Sequence, residues 1–145
     1  MSVSNPRYGI LRRKLALVVV VALLLPASLA AKKYKLENDP TVPGATGEVK
    51  TGKDKNGNTK IEVKVKYLAQ PSEFTPPKTT YMVWIQQNGM APESQGMLKV
   101  SNKLEGDFQT STPAKSFDLF ITAESESTIK APAGTVVLRA NGVTR

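Results

Sequence analysis

The sequence predicts an all-β domain because apolar and polar residues alternate, turn signals recur and helical spacing is missing. From Thr46 onward no window keeps apolar residues at positions i, i+3 and i+4, so no substantial helix is expected there. Clusters of glycine, proline, asparagine and serine divide this region into runs of strand length. A chain of 145 residues fits one such domain.

A leader is predicted ahead of that domain, over residues 1–30. The chain starts with polar residues that end in two arginines and a lysine, and residues 15–25 then form an unbroken apolar run. Small residues stand at Ser28 and Ala30, with the spacing that a signal peptidase reads. This order predicts a signal-peptide helix that is cleaved between Ala30 and Ala31, and therefore an extracytoplasmic mature chain, periplasmic or secreted.

An uncleaved anchor is the alternative use of this segment. A membrane-spanning helix needs about 20 predominantly apolar residues, and this run is at the short edge of that length. Retention would keep residues 11–31 in the membrane. The basic flank would stay inside, so the rest of the chain would again lie outside the cytoplasm.

The predicted domain covers residues 45–145 and begins with a β-hairpin. Residues 31–44 before it are charged and contain two prolines, so we expect a tether or an edge segment there. Within the hairpin, Asn56-Gly57 supplies the positive φ that tight turns need. Residues 59–68 then alternate strictly between an apolar and a charged face, which is typical of an antiparallel sheet with one buried face.

Five further strands are predicted between loops that contain glycine and proline. The strand at residues 79–86 carries bulky side chains on both faces and is therefore expected at a central position. We interpret Trp84, the only tryptophan, as a core anchor, and a ligand-stacking role is the alternative. The other four runs are residues 95–100, 107–110, 116–124 and 135–140.

About seven strands without covering helices predict an immunoglobulin-like antiparallel β-sandwich. Two packed sheets are the natural way to bury both faces of the central strands. A domain of this size buries roughly two thirds of its unfolded surface, which suffices without disulfides. The predicted core residues are Ile61, Val63, Val65, Tyr81, Val83, Trp84, Ile85, Phe117, Leu119, Ile121 and Val137.

Short motifs between residues 80 and 140 follow the order found in one known family. Tyr81-Met-Val-Trp-Ile precedes Gly96-Met-Leu-Lys-Val, a glycine turn, Phe117-Asp-Leu-Phe-Ile-Thr-Ala-Glu124 and Ala131-Pro-Ala-Gly134. This order resembles the extracytoplasmic C-terminal domain of anti-sigma-K factors. The resemblance implies a β-sandwich outside the membrane, with no catalytic residues to carry over.

The resemblance covers the outer domain of that family alone. Its members carry a cytoplasmic sigma-binding domain, often with a His/Cys zinc motif, ahead of one spanning helix. Here 14 residues precede the apolar run, and the chain has no His and no Cys. Sequestration of a sigma factor is therefore not part of what the resemblance implies.

Candidate groups for catalysis or metal binding are few. Without Cys and His, thiol nucleophiles, imidazole bases and zinc-finger sites are excluded. Glu124 and Glu126 are the candidate acid–base pair, and a solvated strand end or a structural hydrogen bond of Glu124 are the alternatives. Asp54, Asn56 and Asn58 resemble part of a calcium loop, but the position of the glycine favours a hairpin turn. We expect no catalytic residue, no cofactor and no metal.

The positive charge of the chain is concentrated in the leader. The net charge is +8, and residues 31–145 keep 16 basic against 12 acidic residues, a net charge of +4. Their lysines alternate with acidic and polar residues, so the pattern favours a solvated face over a nucleic-acid site.

Together these features predict an exported, non-catalytic interaction or sensing module of the bacterial cell envelope. Another envelope protein is the expected partner. Two alternatives stay open: a structural envelope or matrix protein without a specific ligand, and a carboxylate enzyme that acts on envelope polysaccharide.

Overall fold

Alternation along the predicted hairpin produces the strands that the sequence indicates. In the computed structural model, which describes residues 30–145, Ile61, Val63 and Val65 are buried, whereas the alternate residues are exposed lysines and the half-buried Glu62. Gly57 in the preceding turn has a φ of +83°, as the Asn-Gly signal predicts. The strands are β1 (Lys32–Asn38), β2 (Thr46–Lys53), β3 (Thr59–Lys66), β4 (Thr80–Gln86), β5 (Glu93–Leu98), β6 (Gly106–Thr112), β7 (Ser116–Glu124) and β8 (Thr135–Thr144), and a 3-10 turn covers Pro71–Glu73.

All strand pairs are antiparallel and follow the order β5-β4-β7-β8-β1-β2-β3-β6. Strand β1 joins the two layers, because Lys32–Leu36 pair with β2 whereas Glu37–Asn38 pair with β8. One layer contains β2, β3 and β6, and the other contains β4, β5, β7 and β8. The predicted all-β antiparallel sandwich is confirmed, with eight strands instead of about seven.

The main apolar cluster lies between these two layers. Val49 and Ile61 of one layer belong to the same cluster as Val83 and Leu119 of the other. All eleven predicted core residues are buried, and ten of them belong to this cluster, whereas Trp84 does not. Each fully buried aliphatic side chain stabilises the fold by roughly 1.5–3 kcal/mol.

The segment predicted as a tether, residues 31–44, contains strand β1 instead. This strand lies between β2 and β8, so it is not an edge either. Leu36 is buried against Gly47, where an added Cβ would stand 2.8 Å from the Leu36 Cδ1 atom. The hydroxyl of Tyr34 is hydrogen-bonded to Thr144 of β8. The prediction of a tether is wrong because a single buried leucine among charged residues does not show the two-residue alternation by which a strand is recognised.

The connections gather at two opposite ends of the sandwich. The terminal end carries Ala30, the turns 54–58, 87–92 and 113–115, and Arg145. The loop end carries the connections 39–45, 67–79, 99–105 and 125–134. The predicted leader covers residues 1–30, of which 1–29 lie outside the described residues, and Ala30 stands at the terminal end.

Candidate functional site

A second apolar cluster lies on the outer face of the layer that contains β4, β7 and β8. Because side chains alternate along β4, Tyr81 and Val83 face the main cluster, whereas Met82 and Trp84 face the opposite side. Phe120 is the β7 partner of Trp84 and completes the second cluster. Trp84 is fully buried, as expected for a core residue, but it belongs to this second cluster and not to the main one between the layers.

The connection 125–134 covers this second cluster. Ile129 from the connection and Val136 from β8 pack against it. The guanidinium carbon of Arg139 lies 4.5 Å from the ring centroid of Phe120, a cation–π geometry. The indole of Trp84 is therefore enclosed and offers no exposed face on which a ligand would stack.

Hydrogen bonds link Trp84 to Glu124 beneath that connection. The indole Nε1 of Trp84 donates to Oγ1 of Thr122 over 2.9 Å, and the Thr122 hydroxyl donates to Oε1 of Glu124 over 2.6 Å. The backbone N–H of Ala133 donates to the same oxygen over 3.1 Å. Glu124 is 2% exposed, and hydrogen bonds of this kind are what makes a buried carboxylate tolerable.

Gly134 allows the connection to return onto the sheet. A Cβ at this position would overlap the carbonyl oxygen of Ala123 and stand 2.9 Å from Oε2 of Glu124, so only glycine fits. Three of the motifs that carry the family resemblance meet here: the Trp84 strand, Thr122 to Glu124, and the Pro-Ala-Gly134 segment.

The two glutamates of the predicted acid–base pair lie in different environments. Strand β7 ends at Glu124, whose carboxylate is buried and hydrogen-bonded, whereas Glu126 is exposed in the following connection. The pairing depended on the strand continuing as far as Glu126, and it does not. For Glu124, the geometry is that of the structural hydrogen bond named above as an alternative.

Asp54 organises the turn between β2 and β3. Its Oδ1 accepts hydrogen bonds from the backbone N–H groups of Asn56 and Asn58, each over 2.8 Å, and its Oδ2 accepts one from the Ser111 hydroxyl over 2.6 Å. These bonds, chiefly that from Ser111, lower the pKa of Asp54. The carboxylate thus serves the hairpin turn, and in residues 30–145 no group of three or more metal-ligating side chains is placed to hold a metal ion.

An open groove at the loop end is the candidate recognition site. It lies between the connections 39–45 and 67–79 and has a volume of about 440 Å³. Val42 and Phe74 give it apolar walls, and Thr41 lies among its polar groups. Apolar walls with a few polar groups and a volume of roughly 300–1,000 Å³ are typical of small-ligand sites.

The walls of this groove are fixed by hydrogen bonds and ring packing. The Tyr81 hydroxyl donates to the carbonyl oxygen of Ala69 over 2.7 Å, and its ring meets Phe74 edge-to-face at 6.1 Å between centroids. Burial, with a smaller effect of the Glu73 carboxylate, raises the pKa of Tyr81, so the phenol stays a donor. On the other wall, the backbone N–H and the hydroxyl of Thr41 both donate to Oδ1 of Asp39.

A second cavity, of about 700 Å³, lies at the terminal end between residues 86–90 and 116–118. It is larger, but its lining is mainly amide, hydroxyl and carboxylate groups, with Phe117 and Met90 as the large apolar residues. The loop-end groove is the better candidate because apolar walls supply most of the binding free energy of small ligands.

Sequence reasoning missed Val42 and Phe74. Both are apolar residues that stand in connections rich in proline, where strand periodicity predicts nothing. Large apolar side chains in such connections are the signal that would have drawn attention to them, because surface loops seldom carry them without a contact.

The predicted cleavage site lies at the boundary of the described residues. Ala30 and Ala31 are exposed and stand directly before β1. From Ala30 to Arg145, the chain contains no helix that is long and apolar enough to cross a membrane.

No protein-family model and no curated protein matches the chain. The likeness to the outer domain of anti-sigma-K factors therefore stays a prediction from the order of short motifs. The interpretation of the groove and of the Glu124 hydrogen bonds rests on their own geometry.

Proposed function

We propose that the protein is an exported, non-catalytic β-sandwich that acts as an interaction or sensing module of the bacterial cell envelope. The observation that carries the proposal is the groove walled by Val42 and Phe74 at the loop end. That end is opposite Ala30, where the predicted leader joins the domain. The recognition surface would therefore point away from the membrane as the chain is exported.

The chemistry of the candidate groups supports recognition over catalysis. The carboxylates of Glu124 and Asp54 are held by hydrogen bonds from their own fold. A general acid or base needs a free edge within hydrogen-bond reach of a substrate. The groove offers apolar surface, hydroxyl groups and a single carboxylate, that of Glu73, without a second one to form an acid–base pair, so its lining suits binding.

Export is supported by the order of features in the leader and is tested at the new N-terminus. We expect the intact mass of the protein recovered from the envelope or the medium to correspond to a chain that starts at Ala31. Ala30→Arg, which places a large residue at the cleavage position, should leave the leader attached. Full-length protein in the soluble cytoplasmic fraction would contradict export.

Recognition at the groove is tested by photo-crosslinking in cells. A crosslinking residue at the exposed Pro43 should give a reproducible adduct with one envelope protein, identified by mass spectrometry. Thr135→Arg, which projects a charge into the groove, should abolish that adduct, and a crosslinker at Asn88 of the terminal end should not give it. The same adduct from both positions would contradict the proposal, and adducts with copies of this chain alone would favour the structural role.

A further inference from the structure

We propose that the terminal end of the sandwich binds the surface of an anionic phospholipid bilayer through a basic cluster. The basic cluster consists of Lys32, Lys53, Lys55, Lys115 and Arg145. The four lysines are exposed and the arginine is half-buried. They come from four separate parts of the sequence, so their proximity is a property of the fold and is not visible as a charge run.

Specific contacts bring these segments together. The Lys32 Nζ atom donates to the carbonyl oxygen of Arg145 and to Oγ1 of Thr144, each over 3.0 Å. The Arg145 guanidinium donates to the carbonyl oxygen of Gly57 in the β2–β3 turn, and its backbone N–H donates to the carbonyl oxygen of Lys115 over 3.1 Å. The start of β1, two turns and residue 145 thus converge on one surface.

Acidic groups do little to neutralise this surface. Asp54 is the one acidic side chain in the turns of the terminal end, and it accepts three hydrogen bonds. Glu93 and Asp118 stand where β5 and β7 begin, and the Asp118 carboxylate accepts a hydrogen bond from the backbone N–H of Gly142 over 2.8 Å. Among the described residues, no member of the cluster forms an ion pair, whereas Lys60 is paired with Glu62 and is therefore left out.

The opposite end of the domain is balanced in charge. Its four connections carry four acidic and four basic residues: Asp39, Glu73, Glu105 and Glu126 against Lys78, Lys99, Lys103 and Lys130. The turns of the terminal end carry Lys55, Lys115 and Arg145 against Asp54, and the adjoining strand ends add Lys32 and Lys53 against Glu93 and Asp118. The domain therefore has a positive end and a neutral end.

Two observations select a lipid surface as the occupant. Exposed lysines from several segments match a diffuse negative surface, and each lysine near an anionic bilayer strengthens binding about fivefold. Residues 1–29, which include the predicted apolar run, join the domain at Ala30, beside Lys32. The end that leaves the membrane last is therefore the positive one, and binding there would turn the groove outward. The choice of lipid as the target rests on the proposed export, because it uses the position of the leader beside the basic cluster. The charge difference between the two ends does not depend on export.

Lysine footprinting on the full chain tests the proposal. The protein is reconstituted into vesicles of phosphatidylcholine alone or with phosphatidylglycerol. Its accessible lysines are then acylated, and mass spectrometry measures the extent of labelling at each lysine. We expect Lys53, Lys55 and Lys115 to be labelled severalfold less in the anionic vesicles, and Lys99, Lys103 and Lys130 to be labelled equally in both. About 1 M salt should remove the difference, since screening then acts within roughly 3 Å. Equal labelling of the two sets would overturn the proposal.

Matched variants separate position from net charge. Lys53→Gln with Lys55→Gln and Lys115→Gln removes the same charge as Lys99→Gln with Lys103→Gln and Lys130→Gln. A chain that begins at Ala31 keeps all eight strands and both apolar clusters, and its cooperative thermal unfolding is checked first. In sedimentation with anionic vesicles, the first variant should bind about a hundredfold more weakly, and the second should stay within about threefold of the parent.

Three outcomes would overturn the lipid surface as the target. They are an equal loss in both variants, no binding by the parent, and tighter binding to soluble polyphosphate than to vesicles of equal charge. If the chain from Ala31 does not unfold cooperatively, the footprint on the full chain decides. The crosslinking experiment at Pro43 tests recognition at the groove independently of lipid binding. Either proposal, recognition at the groove or lipid binding at the terminal end, can therefore fail while the other holds.

Discussion

Trp84 and Thr122 are joined across β4 and β7 by a hydrogen bond of 2.9 Å from the indole to the hydroxyl. The same hydroxyl donates onward to Glu124, so its single proton fixes the direction of the hydrogen bonds. The backbone N–H of Ala133 adds the connection 125–134 to the carboxylate. The only tryptophan, the buried carboxyl group of Glu124 and the covering connection are therefore expected to act as one unit.

Thr122→Val removes both hydrogen bonds while nearly preserving shape. Because the Glu124 carboxylate and the Trp84 indole then lose a buried partner, we expect the free energy of unfolding to fall by about 1–3 kcal/mol. Denaturant unfolding followed by Trp84 fluorescence measures it. Thr122→Ser, which keeps the hydroxyl, should lose less, and equal losses in the two variants would show that the hydrogen bonds contribute nothing.

Gly134→Ala tests the close approach of the connection to β7. The added methyl group meets the Ala123 carbonyl, so strain should lower the free energy of unfolding by about 1–3 kcal/mol or more. Gly52→Ala is the control, because no atom lies within 4 Å of its Cβ position, and it should change stability by less than about 0.5 kcal/mol. Thermal unfolding of the two variants compares them, and similar midpoints would contradict the geometry.

Leu36→Ala distinguishes a strand from a tether. Leu36 is 1% exposed, so its truncation should cost about 2–5 kcal/mol in the free energy of unfolding. The neighbouring Lys35 is exposed on the other face of β1, and Lys35→Ala should cost less than about 0.5 kcal/mol. A tether would give two equal and small effects in the same unfolding measurement.

The alternation of Ile61, Val63 and Val65 predicted β3 because one face is buried and the other is charged. The same rule fails for β1, where Leu36 is the one fully buried side chain and lysines stand on both faces. Along β4 the alternation does separate Trp84 from Tyr81 and Val83, but it does not identify the inner face. A run that is apolar on both faces does not show which face meets the second layer, and that depends on a connection that lies more than 40 residues away in the sequence.

The candidate site was less predictable than the strands. Glu124 was singled out by sequence, and Thr122 shares its face of β7 two residues earlier, but its partner Ala133 is set by the return of the connection, which periodicity does not describe. The groove joins Val42 to Phe74 from two connections, and the basic cluster joins five residues from four separate parts of the sequence. Such juxtapositions arise from sheet order and have no local signal.

The stability contributed by Asp54 should depend on pH. The hydrogen bond from Ser111, followed by those from the turn, lowers its pKa from the ordinary 3.8. A carboxyl group whose pKa is lower in the folded state contributes stability that is complete above its unfolded pKa. That stability is lost as the pH falls through the folded pKa.

The measurement is the difference in the free energy of unfolding between the parent and Asp54→Asn from about pH 7 to pH 2. This difference isolates Asp54 from other carboxylates, and it should shrink below about pH 4. Ser111→Ala removes the largest cause of the shift and should flatten the dependence. A difference that grows on acidification would contradict the assigned sign.

Tyr81→Phe tests how the groove wall is held. The variant deletes the hydrogen bond to the Ala69 carbonyl and should lower the free energy of unfolding by about 0.5–1.5 kcal/mol. Because that bond anchors the connection 67–79, the backbone amides of this connection should also exchange hydrogen faster in the variant, which mass spectrometry measures. Tyr34→Phe is the matched control, since it deletes a hydroxyl bonded to Thr144 at the other end of the sandwich. Tyr34→Phe should lower the free energy of unfolding by a comparable amount without faster amide hydrogen exchange in residues 67–79. Equally faster exchange in both variants would show that Tyr81 does not hold the groove wall specifically.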